Sequence, residues 1–222
     1  MSYTLLMQFA APMQSWGTKS RFDERDTELE PSKSGVIGLI CAALGVPRDE
    51  EKDVLELAAM PMGVRVDREG ILRCDYHTAQ EIIRADGKGK QETAVSRRYY
   101  LADAVFLVGL QSSDRTYLER IQVALQNPYW TLSFGRKSFV PSKPIWLKDG
   151  IQDSSLEKAL TKYPFLLDER QQTRNPVPTR LILQAERGSL RMDQPISSFL
   201  ERRFGARFVE TKPWEEVHHV PE

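Results

Sequence analysis

The sequence predicts an α+β fold of the ferredoxin-like type, on the evidence of one buried helix and of the order in which strands and helices alternate. The apolar segment 4–9 predicts the first strand. The segment 36–44 predicts a helix that is apolar on nearly every face and therefore buried on more than one side. Ser32 or Ser34 can cap this helix, and Gly45 can end it.

The later elements complete the predicted topology. Strands are predicted at 63–67, 71–77, 104–110, 131–134, 145–147, 180–185 and 207–209, and helices at 114–125 and 154–162. The strands at 63–67 and 71–77 flank Arg68-Glu69-Gly70 and are predicted to form a hairpin, and Asp114 is the predicted cap of the following helix. This order approximates a β-α-β-β-α-β plan, which RNA-recognition modules share with many enzymes and which therefore decides no function.

Length and composition are those of a soluble protein. The 222 residues suffice for one large domain, and 41% hydrophobic residues allow a substantial core. Two cysteines, Cys41 and Cys74, give no disulfide framework and suit a reducing cytoplasm. The first residues lack the pattern of a secretory signal, and the longest apolar stretch, 36–46, is too short to span a bilayer. We therefore expect a cytoplasmic protein without a membrane partner.

Charge is balanced overall but uneven along the chain. There are 31 basic and 31 acidic residues, so the chain lacks the basic excess of a non-specific nucleic-acid binder. However, the segment 121–148 contains no acidic residue, whereas acids are concentrated at 23–30. This distribution is typical of a subunit that contacts RNA on one side and proteins on others.

The first candidate site is the start of the predicted helix, Pro31-Ser-Lys-Ser-Gly35. Helix N-termini favour phosphate, and the hydroxyls of Ser32 and Ser34 with the ammonium of Lys33 would strengthen such a site. The alternative is a simple N-cap made by a serine. The order of residues does not match a Walker A loop, so nucleotide hydrolysis is not indicated.

The second candidate is the long connection 78–101. A flexible basic arm with aromatic residues at its base can fold over a single strand, although a solvated hairpin without a ligand is the equal alternative. Tyr99 and Tyr100 are the aromatic residues near the C-terminal end of this connection. The cations of the arm are Arg84, Lys88, Lys90, Arg97 and Arg98.

The third candidate is the segment 121–148, which has no acidic residue and which we call the acid-free window. In it, aromatic residues alternate with positively charged ones. Arg136 and Lys137 follow Gly135, which would allow a close approach of RNA to the backbone. The nearby aromatic residues are either stacking platforms or core residues, and residues of this type on strands more often pack inward. They are Tyr129, Trp130, Phe134 and Phe139.

Catalytic and metal-binding patterns are sparse. Tyr76 and His77 could support metal-independent RNA cleavage with the histidine as general acid or base. Cys74 with His77, or His218-His219, lacks a second ligand pair at zinc-binding spacing, and the two C-terminal histidines fit a solvated tail. We therefore predict no metal, no cofactor and no catalytic residue, with a metal-independent endoribonuclease as the alternative.

Five segments together resemble one protein family. They are 6–17 with its Pro-x-Gln-x-Trp-Gly turn, 31–45, Asp75-Tyr-His-Thr78, Arg98-Tyr-Tyr-Leu-Ala-Asp-Ala104 and Phe134-Gly-Arg-Lys-Ser138. In this order they resemble the Cas5 family of the RAMP superfamily, and within it the CasD type of type I-E CRISPR Cascade complexes. The resemblance covers the chain to about Pro144, and beyond it only length and general character are similar.

The resemblance implies both a fold and a function. It implies a RAMP-type RNA-binding domain over 1–148 with a thumb hairpin inserted at about 78–101, and a small β-rich C-terminal section, 149–222, that completes or is appended to the domain. It implies that the chain holds the 5′ handle of a CRISPR guide RNA, caps the backbone filament, contacts the neighbouring backbone and large subunits, and meets target DNA only through the complex. Related type I-C proteins cleave RNA through Tyr, His and Lys, which keeps the role of Tyr76 and His77 open. A purely protein-binding scaffold is the third possibility.

Overall fold

The computed structural model describes residues 2–19, 23–84, 86–173 and 178–217. Within these ranges the strands are β1 (Tyr3–Ala10), β2 (Met13–Gln14), β3 (Glu24–Arg25), β4 (Met62–Arg68), β5 (Ile71–Ile83), β6 (Lys90–Ala102), β7 (Val105–Ser112), β8 (Trp146–Gln152), β9 (Arg180–Ala185), β10 (Ser189–Pro195) and β11 (Phe204–Pro213). The helices are α1 (Lys33–Leu44), α2 (Lys52–Ala59), α3 (Arg115–Gln126), α4 (Leu156–Lys162), α5 (Glu169–Gln172) and α6 (Trp214–Val217). The fold is α+β, as predicted.

The main sheet has seven antiparallel strands in the order β10-β11-β9-β4-β7-β1-β8. Because side chains alternate along a strand, β1 contributes to two cores. Phe9 lies in the larger core, which includes α1, α2 and α3, whereas Leu6 lies in a smaller core with Leu156 and Leu160 of α4. The sheet is therefore covered on both faces near its centre.

The two long helices begin and end as the sequence predicts. Of the two predicted caps, Ser32 occupies the N-cap position of α1, although its side chain makes no capping hydrogen bond, and Gly45 ends the helix in the left-handed conformation with φ of 77°. The Asp114 carboxylate accepts a hydrogen bond from the Tyr117 N–H and caps α3. Burial of Val36, Ile40 and most of its neighbours explains why α1 lacks a polar face.

The predicted hairpin between 63–67 and 71–77 is wrong. β4 pairs with β7 and β9 inside the main sheet, whereas β5 pairs with β6 over their full length in a second sheet that also contains β2 and β3. The physical reason is burial, since all but the last residue of β4 is buried and β5 is exposed almost throughout. The connection 78–101 is accordingly not a loop but most of a regular hairpin with 13-residue strands.

Two further predictions about strands need correction. Residues 131–134 form no strand, because the Phe134 N–H donates to the Phe139 carbonyl and closes a local turn instead. The strand predicted at 145–147 runs from 146 to 152 as β8. In the C-terminal section β9 has the predicted bounds and β11 extends the predicted 207–209, but β10 was not predicted. These three strands continue the main sheet beyond β4.

Candidate nucleic-acid interface

A cavity of about 480 Å³ lies at the base of the β5–β6 hairpin, where it meets the start of α1. We call it the arginine cavity, after Arg25, Arg98 and Arg136 in its wall. Its other lining residues are Ser15, Trp16, Gly17, Asp26, Ser32, Ser34, Gly35, Gly135, Phe199 and Phe204. The cavity therefore joins residues from segments that are far apart in sequence.

The turn after β1 forms the rigid back of the arginine cavity. Trp16 is buried, and its ring stacks on Phe9 at 5.5 Å between centroids and contacts Phe134 at 5.6 Å. The Gln14 amide donates to the Ala104 carbonyl at 2.8 Å, which ties the turn to the entry of β7. The Pro-x-Gln-x-Trp-Gly motif thus fixes the wall by packing and hydrogen bonding.

Gly135 completes this wall at a position where only glycine fits. Its φ is +90°, and a Cβ placed on it would lie 2.0 Å from the Ser15 carbonyl oxygen. The Ser15 N–H in turn donates to the Phe134 carbonyl at 3.0 Å. The close approach predicted at Gly135 is therefore made to the protein's own backbone, and it brings Arg136 to the cavity.

Three guanidinium groups converge on the arginine cavity. Arg25 of β3 lies opposite Arg98 of β6 in a parallel pair, so their side chains reach the same region. Arg136 donates to the Tyr99 carbonyl at 2.9 Å and lies over the Phe139 ring at 5.1 Å. Burial, and next the charge of Arg98, lower the pKa of Arg136 below its ordinary value.

Within the described ranges none of these three arginines forms a salt bridge. Like charges that are close together and partly removed from water repel each other, and an anion between them relieves this repulsion. The arrangement therefore favours a phosphate group, which several guanidinium donors can bind at once.

The start of α1 differs from the prediction in one respect. Ser32 and Ser34 line the arginine cavity, and the Ser32 side chain makes no capping hydrogen bond. The expected surface position of Lys33 is wrong, because its side chain is fully buried and its Nζ donates to Gln184 Oε1 at 2.9 Å. Burial lowers the pKa of Lys33 to about 7.

The structure separates the cations of the β5–β6 hairpin into two groups. Arg98 lies at the base, in the arginine cavity, and Arg97 is exposed beside it, with its N–H donating to the Asp23 carbonyl. Arg84, Lys88 and Lys90 lie at the distal end, where Lys90 pairs with Glu81 at 3.0 Å. Lys137 is exposed but does not line the arginine cavity.

Aromatic residues of the acid-free window divide between core and surface. Phe134 and Phe139 are buried, whereas Tyr129 and Trp130 are exposed. Tyr100, at the hairpin base, contacts Phe139 at 5.8 Å between ring centroids. Of the two interpretations, stacking platform or core residue, the second is therefore correct for the two phenylalanines.

Tyr76 and His77 do not share a surface. They are consecutive residues of β5, opposite Arg97 and Ser96 of β6, and consecutive side chains of a strand point to opposite faces. In the described ranges no group of three His, Cys, Asp or Glu side chains is arranged to hold a metal. His218 and His219 lie outside the described residues.

Sequence reasoning missed Arg25, Asp26, Phe199 and Phe204 as cavity residues. Arg25 stands within an acidic segment, and its role follows from the β3–β6 register, which has no local signal. Phe199 and Phe204 belong to the C-terminal section, where no motif was recognised. Only the fold brings these residues to the arginine cavity.

Comparison with known proteins decides the family. A family model described as "CRISPR-associated protein (Cas_Cas5)" matches residues 4–210. The chain belongs to the Cas5 family of CRISPR-associated proteins. The match extends well beyond Pro144, so the C-terminal section of this Cas5 protein belongs to the same family unit.

Similar proteins come from both sequence and structure. The "CRISPR system Cascade subunit CasD" of Escherichia coli (strain K12) is 33% identical over 174 residues, which is 72% of this chain and 76% of that protein. A solved "Crystal structure of Cas protein" is 46% identical, with a TM-score of 0.78 over 99% of this chain and 98% of the other. A chain of a "CRISPR RNA-guided surveillance complex" is 31% identical, with a TM-score of 0.78 over 95% and 89%. Among the described residues of this Cas5 protein, no helix has the length and apolar character of a membrane span.

Proposed function

We propose that this Cas5 protein is a non-catalytic subunit of a type I-E Cascade surveillance complex and binds the 5′ handle of the guide RNA. The observation that carries the proposal is the arginine cavity, in which Arg25, Arg98 and Arg136 meet the start of α1 without a salt bridge among the described residues. Similarity to a Cascade subunit and to a chain of an RNA-guided complex supports it.

The geometry suggests how a single strand would be held. Phosphates of the handle enter the arginine cavity, where the guanidinium groups and the positive end of the α1 dipole can bind them. The strand then follows the β5–β6 hairpin, which carries Arg97 and Arg98 near its base and Arg84, Lys88 and Lys90 at its distal end. Bases that leave the cavity can stack on exposed aromatic residues, which tolerate any sequence.

Strand order supports a ferredoxin-like core within the main sheet. The segment β1-α1-β4-β7-α3-β8 follows the β-α-β-β-α-β plan, and its strands lie in the order β4-β7-β1-β8. We propose that 1–148 is this RNA-binding domain, with the β5–β6 hairpin as its thumb, and that 149–222 completes it, since β9 pairs with β4.

The β5–β6 hairpin also suits contact with a neighbouring subunit. β5 is exposed along nearly all of its 13 residues and, in the described ranges, pairs only with β6. Tyr76 is 66% exposed and Ile83 76% exposed, and apolar side chains of this size on an open strand edge are typical of interaction sites. We propose the adjacent backbone subunit as the partner here, the large subunit as a second partner, and target DNA as an indirect one. This assembly would place the protein in cytoplasmic antiviral defence.

Limited proteolysis tests whether the hairpin clamps RNA. In the free protein we expect trypsin to cut after Arg84 and Lys88 at the hairpin turn, because residues 84 and 86–89 are exposed, and to spare the paired strands. Guide RNA with the partner subunits should protect both sites by at least about tenfold in rate. RNA without partners separates protection by RNA from protection by protein. Equal cleavage rates in the free and assembled states would count against the clamp.

A cleavage assay tests the absence of catalysis. Purified protein with repeat RNA, with and without EDTA, should give no specific product, and His77→Ala and Tyr76→Phe should behave like wild type. The reason is that the Tyr76 and His77 side chains point to opposite faces of β5 and cannot act on one phosphate together. Specific cleavage that is lost in His77→Ala would replace the proposal with a metal-independent endoribonuclease.

A further inference from the structure

Lys33 lies directly behind the wall of the arginine cavity. It is the first residue of α1 and stands between Ser32 and Ser34, which both line the cavity. Its own side chain is 0% exposed and reaches the opposite way, where Nζ donates to Gln184 Oε1 of β9 at 2.9 Å. A group that can carry charge is thus buried next to the proposed phosphate site.

The carboxylate of Asp193, whose charge acts on Lys33, already accepts three hydrogen bonds from other donors. Arg207 donates to both oxygens of Asp193, at 2.6 Å and 2.9 Å, and the Lys33 backbone N–H donates to Oδ2 at 2.7 Å. The Lys33 ammonium is left with a neutral amide as its hydrogen-bond partner among the described residues. When Lys33 is protonated, the positive charges of Lys33 and Arg207 therefore exceed the negative charge of Asp193 by one.

The surrounding charged groups do not remove this excess. Glu30, in the segment before α1, is shared by Arg191 of β10 at 2.9 Å and Arg180 of β9 at 3.2 Å, and Arg180 also pairs with Glu69. On the cavity side stand Arg25, Arg98 and Arg136, with the carboxylate of Asp26 in the lining and that of Asp75 close enough to act on the pKa of Arg136. Burial, and next the charge of Arg207, lower the pKa of Lys33 to about 7, against the opposite effect of Asp193.

We propose that Lys33 is a positioning residue whose amine takes up a proton from solvent when an RNA phosphate enters the arginine cavity. This inference rests on the proposed RNA-binding function. An anion at the start of α1 stabilises the ammonium form over the neutral amine, and by linkage the ammonium form binds the anion more tightly. The affinity for RNA is therefore highest below neutral pH and falls as pH rises through the pKa of Lys33 in the complex.

Affinity measured against pH tests the proposal in three forms of the full-length protein. The probe is a single-stranded RNA with the handle sequence of the protein's own CRISPR repeat, at constant ionic strength. From about pH 6 to about pH 9 we expect wild type to lose roughly three- to tenfold in affinity. Lys33→Arg should bind tightly throughout, because its charge is permanent, and Lys33→Met should bind weakly throughout, because it has none.

Calorimetry measures the proton uptake directly in the wild type, and the two variants serve as controls. Titrations near pH 7.5 in two buffers of different ionisation enthalpy should report uptake of a fraction of a proton per RNA bound, roughly half. Lys33→Arg and Lys33→Met should take up none. A purely structural role of Lys33 would lower affinity in both variants without changing the proton count.

The outcomes separate this inference from the function on which it rests. If wild type binds RNA with no proton uptake and a flat pH profile, Lys33 has no such role, while the RNA-binding function stands. If all three forms lose affinity with the same pH dependence, another group titrates and the inference is wrong. If wild type binds no RNA at any pH, the proposed function and the inference both fail.

Discussion

Replacing Gly135 with alanine is expected to destabilise the protein by at least about 3 kcal/mol and to deform the arginine cavity. A non-glycine residue at φ of +90° is strained, and the added Cβ would lie 2.0 Å from the Ser15 carbonyl oxygen. This oxygen belongs to the backbone, so the clash cannot be relieved by a side-chain rotation. Either the turn after β1 or the loop that carries Arg136 must move.

Gly87→Ala is the matched control for Gly135→Ala. Gly87 also has a positive φ, of +70°, but no described atom lies within 4 Å of a Cβ placed there. Its substitution should therefore cost only about 1 kcal/mol, from the backbone conformation alone. Urea denaturation of both variants gives the comparison. A cost for Gly135→Ala no larger than that for Gly87→Ala would mean that the Ser15 contact is not a constraint.

Removing two guanidinium groups together should produce the largest loss of RNA affinity. For the double variant Arg98→Ala and Arg136→Ala we expect about a 100-fold weaker complex, since each charged hydrogen bond contributes about 1.5 kcal/mol. Each phosphate contact of a single strand contributes about 0.7 to the slope of log affinity against log salt, so the slope should become shallower by about 1.4. Fluorescence anisotropy at several salt concentrations measures both quantities.

Lys137→Ala provides the control for this affinity loss. Lys137 neighbours Arg136 in sequence and carries the same charge, but it does not line the arginine cavity. Its substitution should change affinity by less than about threefold. The double variant should also be less stable by about 1 kcal/mol, because the Arg136 guanidinium no longer donates to the Tyr99 carbonyl. Thermal unfolding measures this loss in parallel. The assignment would be wrong if the double variant folds and binds RNA with unchanged affinity while Lys137→Ala binds RNA more weakly. The RNA site would then lie outside the arginine cavity.

Local sequence was sufficient wherever one segment contained all the information. The end of α1 follows from Gly45, and the cap of α3 follows from Asp114, because a cap depends on residues within one turn of the helix. The bounds of β9 were predicted correctly because its apolar residues contrast with polar neighbours. The family followed from short motifs in the right order, and the match over 4–210 confirmed it.

The pairing of strands could not be predicted in the same way. β4 and β5 are separated by a glycine turn that is typical of a hairpin, yet they belong to different sheets. The choice depends on burial, since β4 has partners on both sides in a covered sheet and β5 leaves to pair with β6. Such partners are distant in sequence, so local patterns do not reveal them.

The sequence by itself determined the fold class, the main helices, the family and three candidate segments that carry cations. Only the tertiary structure decided which of those cations meet: it brings Arg98 and Arg136 together, adds Arg25, and buries Lys33 behind them. The physical reason is that caps and turns are local interactions, whereas a charged site depends on distances between side chains. Those distances are set by sheet register and helix packing across the whole chain.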